Sequence, residues 1–110
     1  MPLYMYQAAY TDESWAAQIK KPQNRVEAVG RKVCKAAGGK LIGGWLCFGE
    51  YDLVIIADVP DNKSMAAIAL AVGAGGAIKS SKTTVLMTGA EGVEALKKAA
   101  AVAGAYRPAR

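Results

Sequence analysis

Two apolar runs, residues 40–48 and 51–59, are separated by only Gly49 and Glu50. A two-residue connection with glycine first is the signature of a tight β-hairpin, because the primed turns need the backbone freedom that glycine supplies. The reading is a hairpin in which Phe48 pairs with Tyr51 and Cys47 with Asp52. Alternation along each strand then sorts the side chains onto two faces. One face carries Ile42, Gly44, Leu46, Phe48, Tyr51, Leu53, Ile55 and Ala57. The other carries Leu41, Gly43, Trp45, Cys47, Asp52, Val54, Ile56 and Asp58.

The first face is apolar throughout apart from one phenol and belongs against helices. A second face open to water would carry polar residues at most alternate positions. This one instead sets Trp45, Val54 and Ile56 between two aspartates. The expectation is that a second copy of the chain covers it, sheet against sheet. Asp52 is then expected beside Cys47, Trp45 and Tyr4, and Asp58 beside Tyr10 and Lys79.

The rest of the chain supplies elements for this hairpin to join. Residues 3–10 are uncharged and rich in aromatic and apolar side chains, a first strand. From Asp12 the apolar residues Trp15, Ile19, Val26, Val29 and Val33 recur at helical spacing. Pro22 divides that stretch into two helices, the second entered at Pro22 and ended by Gly38-Gly39. A helix is expected over 64–72, a strand over 78–87 and a last Ala-rich helix over 91–103. Residues 104–110 then form a tail. The order is strand, helix, strand, strand, helix, strand. That predicts a single α+β domain spanning 1–110, of ferredoxin-like βαββαβ type, with a four-stranded antiparallel sheet, helices on one face and an extra C-terminal helix. The run GAGG at 73–76 follows a helix rather than a strand, which argues against a phosphate loop.

Composition narrows the chemistry. There is no histidine, which removes imidazole metal ligands and His-based acid/base catalysis. Cys34 and Cys47 match no zinc or redox spacing, so no metal or cofactor is expected. The net charge is +5, but the basic residues are scattered without interleaved aromatics, the pattern of solvated helix faces rather than of nucleic-acid binding. No apolar run reaches membrane-spanning length and MPLYMYQ has no signal-peptide pattern, so a cytoplasmic protein with reduced thiols is expected.

The stretch FGEYDLVIIADVPD resembles the GYD domain family, named for a Gly…Tyr-Asp signature at such a hairpin. Here Glu50 falls between Gly49 and the Tyr51-Asp52 pair. Supporting matches are Tyr10-Thr11, Pro22 with Arg25, the GGK at 38–40 and the TTV of the last strand; together they span residues 3–90. The resemblance implies a ferredoxin-like fold of the dimeric α/β-barrel group and no settled enzymatic activity.

Candidate site residues follow from the mixed face. Asp52 is either a carboxylate in a partly dry cavity, a general base or ligand anchor, or a structural acceptor within the hairpin. Tyr4, Trp45, Cys47, Tyr51 and Lys82 are its candidate companions around a small organic ligand. Lys82 joins the set if the register turns it to that face. Cys47 is a poor nucleophile beside an acid, which raises a thiol's pKa. Arg25 is a separate candidate for anion binding. Three functions remain open: an oligomeric small-ligand binding or sensing protein, an assembly protein whose partner fills the face, or a cofactor-free acid/base enzyme of isomerase or monooxygenase type.

Overall fold

The computed structural model describes residues 2–109. The elements run β1 (Leu3–Tyr10), α1 (Asp12–Lys20), α2 (Arg25–Ala36), β2 (Lys40–Leu46), β3 (Leu53–Asp58), α3 (Asn62–Ala74), β4 (Ile78–Leu86) and α4 (Gly89–Ala105). The strands form one antiparallel sheet in the order β2-β3-β1-β4. The α+β, ferredoxin-like expectation is met.

Helix starts are set locally. Thr11 accepts from the Ser14 amide at 3.2 Å to begin α1, and Asp61 accepts from the Ser64 amide at 2.9 Å to begin α3. Thr88 and Glu91 form a reciprocal capping box that starts α4 two residues before the expected 91, and the helix runs on through Gly104 to Ala105. Pro22 does not open α2. Residues 22–24 carry no regular secondary structure, and the helix begins at Arg25 after the N-cap Asn24.

The core lies between the sheet and α2 and α3. Alternation along β1 turns Tyr4, Tyr6, Ala8 and Tyr10 inward, where Leu53, Ile55, Ala57, Val59, Val26, Cys34, Met65 and Ile68 complete the buried cluster. α4 buries none of its residues. The radius of gyration is 17.3 Å, against the ~13 Å of a compact chain of about this length, and the body measures 58 × 35 × 22 Å.

Three expectations about the hairpin are corrected. The strands stop at Leu46 and Leu53, so residues 47–52 form a wider connection than a two-residue turn, although the Cys47 amide still bonds the Asp52 carbonyl at 2.8 Å. The Asp52 amide is drawn instead to the Ala8 carbonyl of β1, at 2.8 Å. Gly49 takes φ +145, and Phe48, expected on the helix-facing side, is fully exposed.

The second correction is a bulge. Leu41 pairs with Ala57 and Gly43 with Ile56, leaving Ile42 unmatched. Leu41 therefore turns to the helices and Ile42 is exposed, the reverse of strict alternation. α2 makes room for it: the Leu41 methyls lie 3.2 Å from where a Gly30 Cβ would stand.

The third concerns β1. Because β1 runs antiparallel to β3, Leu3 faces Asp58 and Ala8 faces Leu53. Asp52 accordingly lies at the Tyr10 end of β1 and Asp58 at the Leu3 end, opposite to the expected placement.

Candidate functional site

The open sheet face is a grid of rows fixed by register. Trp45, Val54, Gln7 and Lys82 form one row, and Gly43, Ile56, Met5 and Thr84 the next. Lys82 thus points to the face that the candidate set required. The Trp45 indole folds over Gly43, where a Cβ would stand 2.8 Å from the ring. Cys47 and Asp52 occupy the adjoining end of this face, and the exposed Cys47 thiol donates to the Tyr51 carbonyl at 3.3 Å. The Asp52 carboxylate accepts the Tyr10 amide at 2.9 Å, just before β3 begins and beyond the Ala8–Leu53 pair, where β1 continues past its β3 neighbour. Tyr51 is half-buried. Tyr4 is not part of this group. It points to the opposite side of the sheet, and its hydroxyl donates to the Asn62 side-chain oxygen at 2.6 Å at the start of α3.

A concave site lies on the other side of the sheet. α2 packs on β2 and β3 while α3 packs toward β4, and the two helices leave a cleft between them. Its volume is about 310 Å³. Val29 and Val33 of α2, Ile68 and Val72 of α3 and Ile55 of the sheet make apolar walls. Tyr6 and Tyr10 contribute phenols, and among the described residues Arg25 brings the one formal charge to the lining.

These polar groups differ in environment. The Tyr6 side chain is 2% exposed, and its buried hydroxyl closes no hydrogen bond of standard geometry, although the Ser81 hydroxyl interacts with it loosely. Burial pushes this phenol above its ordinary range, with the Ser81 hydroxyl pulling weakly the other way. Burial also raises the Tyr10 phenol; the Arg25 guanidinium opposes that rise and the Asp52 charge adds to it. Tyr10 is held edge-on against Trp15, ring centroids 5.0 Å apart. Such a pair contributes about 0.5–1.5 kcal/mol beyond its buried area. Arg25 also lines a second, polar groove of about 420 Å³ between α1 and residues 75–77, with Glu13, Gln18 and Lys21. The apolar cleft and the polar groove therefore meet at Arg25.

Sequence reasoning singled out Arg25 but missed Tyr6, Tyr10 and the aliphatic walls. The available signal was the spacing of Tyr4, Tyr6 and Tyr10, three phenols on one face of a strand. Cys34 is fully buried and its thiol is pushed up by that burial. Among the described residues no cluster of three or more Cys, Asp or Glu is placed to hold a metal ion, and no helix is long and apolar enough to cross a membrane.

A scan of family patterns matches the GYD domain over residues 4–100. The chain belongs to the GYD domain family. No curated protein matches it. Among solved structures, the GYD fold seen here is similar to a hypothetical protein from Pyrococcus horikoshii, with a TM-score of 0.51 and 13% identity, over 80% of this chain and 92% of that one. It is also similar to a protein from Thermus thermophilus, at 0.52 and 15% identity, over 80% and 95% of the two chains. An uncharacterised NIPSNAP domain protein from Burkholderia xenovorans matches at 0.50 and 16% identity, over 82% and 96%. At these identities the likeness shows the fold alone.

Proposed function

We propose that this GYD domain protein is a cytoplasmic small-ligand-binding protein, working as a homo-oligomer, whose ligand occupies the cleft between α2, α3 and the sheet. The observation that carries the reading is a cleft of about 310 Å³ walled by aliphatic side chains and holding a buried Tyr6 hydroxyl that closes no hydrogen bond of standard geometry. Ligand sites characteristically have this size and this mixture, an apolar lining with a few fixed polar groups. A buried hydroxyl without a well-formed hydrogen bond is unfavourable in the empty protein and becomes favourable when a ligand supplies an acceptor.

The open sheet face serves assembly in this account rather than ligand capture. Trp45 is 55% exposed, and it lies with half-buried Val54, Ile56 and Met5 on a surface suited to a second copy. Asp52 is engaged with the β1 backbone and acts as a structural acceptor, which disfavours the acid/base enzyme reading.

The test is to fill the cleft. Val29→Trp should keep the far-UV circular dichroism of the parent and lose the signals that a small-fragment library gives in saturation-transfer NMR. Unchanged fragment binding by Val29→Trp would place the ligand elsewhere.

A further inference from the structure

The cleft contains enough chemistry to say what kind of molecule fits it. We propose that its ligand is a small monocarboxylic acid with an aromatic or branched aliphatic body and an oxygen acceptor on that body, the carboxylate held by Arg25 and the inner oxygen by Tyr6. This deepens the proposed function and rests on the cleft being the ligand site.

The charge comes first. Arg25 is the first residue of α2, where the unpaired amides of the opening turn and the helix dipole favour an anion. The N-cap Asn24 makes no side-chain hydrogen bond to that turn. Arg25 forms no ion pair among the described residues, although α2 supplies one elsewhere, Arg31 with Glu27 at 3.0 Å. Around it the polar groove presents one acid, Glu13, and one further cation, Lys21. A single planar guanidinium at a helix start suits the fork geometry of one carboxylate better than the multiple charge of a phosphate ester, which calls for a cluster of cations.

The body of the ligand is set by the walls. Val29, Val33, Ile68 and Val72 offer nothing for a sugar or peptide backbone to hydrogen-bond, so whatever enters beyond Arg25 is apolar. The independent observation is Tyr6. Its side chain is almost wholly buried and lines the same cleft, and its hydroxyl closes no hydrogen bond of standard geometry, having only a loose interaction with the Ser81 hydroxyl, which leaves room for an acceptor on the apolar part of the ligand. Acid at the mouth, hydrocarbon between and oxygen within is the pattern of a hydroxy- or oxo-substituted aromatic or branched-chain acid.

The experiment uses isosteric probes in isothermal titration calorimetry on the full chain: 4-hydroxyphenylacetate, its primary amide, the amine tyramine and unsubstituted phenylacetate. The expected result is about a tenfold preference for the acid over its amide, with the amine weaker still. Arg25→Gln should abolish that preference while leaving the amide's affinity unchanged. Tyr6→Phe should weaken 4-hydroxyphenylacetate and leave phenylacetate unaltered. If amide and amine bind as tightly as the acid, or if Arg25→Gln leaves the preference intact, the ligand class is wrong while the cleft stands. If none of the four probes binds and fragment binding survives Val29→Trp, the cleft reading itself falls.

Discussion

The Tyr10 backbone N–H donates to the Asp52 carboxylate at 2.9 Å, so the acid of the Tyr-Asp signature completes the β1–β3 ladder with a side chain where the β3 backbone no longer can. The same residue, Tyr10, turns its ring into the α2–α3 cleft. Asp52 therefore helps fix one wall of the proposed ligand site from the far side of the sheet. Asp52→Ala should cost about 1–3 kcal/mol of stability in urea denaturation, as expected for losing a charge-assisted hydrogen bond to the backbone. Asp52→Asn keeps an acceptor and should cost less than half as much. Equal losses in the two variants would contradict this assignment.

Glycines at close approaches give a sharp contrast. A Cβ on Gly39 would stand 2.0 Å from the Asp58 carbonyl oxygen, a backbone atom that cannot step aside. Gly39→Ala should therefore destabilise by several kcal/mol or prevent folding. At Gly30 the neighbour is the flexible Leu41 side chain at 3.2 Å, and alanine gains about 1 kcal/mol of helix propensity. Gly30→Ala should stay within about 1 kcal/mol of the parent, by thermal unfolding.

Alkaline titration should separate the buried phenols. Tyr6 and Tyr10 are raised above the ordinary value of 10.0 by burial, so the folded state resists losing their protons. For groups raised in this way, stability is intact below the unfolded value and declines as pH rises through that value toward the folded one. Unfolding free energy should thus show no tyrosine-linked change up to about pH 10 and fall above it. Ultraviolet difference spectra should contain a late-ionising component that shrinks in Tyr6→Phe. Simultaneous ionisation of all five tyrosines in the folded protein would contradict the burial argument.

Assembly through the open face has a direct consequence. The protein should sediment as an oligomer, and Trp45→Glu, which places a charge on the β2 side of that face, should shift it to monomer at the same concentration. A parent chain that sediments as a stable monomer would overturn the assignment of this surface.

Much of the fold was legible in the sequence because its signals are local. Alternation marked the strands, Pro22 marked the division between the first two helices, and the stop at Gly38-Gly39 marked the end of the second. What was not legible depends on distant atoms. The bulge at Ile42 is paired with the space that Gly30 leaves for Leu41 across the α2 interface. The opening of the hairpin reflects Asp52 reaching β1 with both its amide and its carboxylate. Tyr4 was set beside Asp52, but antiparallel pairing takes it to the other end of β1 and the other face. The cleft is a gap between two helices, and no residue pattern announces a gap. Arg25 could be singled out because a lone arginine at a helix start is a local feature; the Tyr6 hydroxyl it joins became visible only with the fold.

Entry of ligand between α2 and α3 is tested most directly by methyl- and aromatic-resolved NMR titration with 4-hydroxyphenylacetate. Shifts should be confined to the Val29, Ile68 and Val72 methyls and the Tyr6 and Tyr10 rings, saturating together with one dissociation constant. Shifts at the Trp45 indole on the opposite face, with the cleft methyls silent, would contradict it.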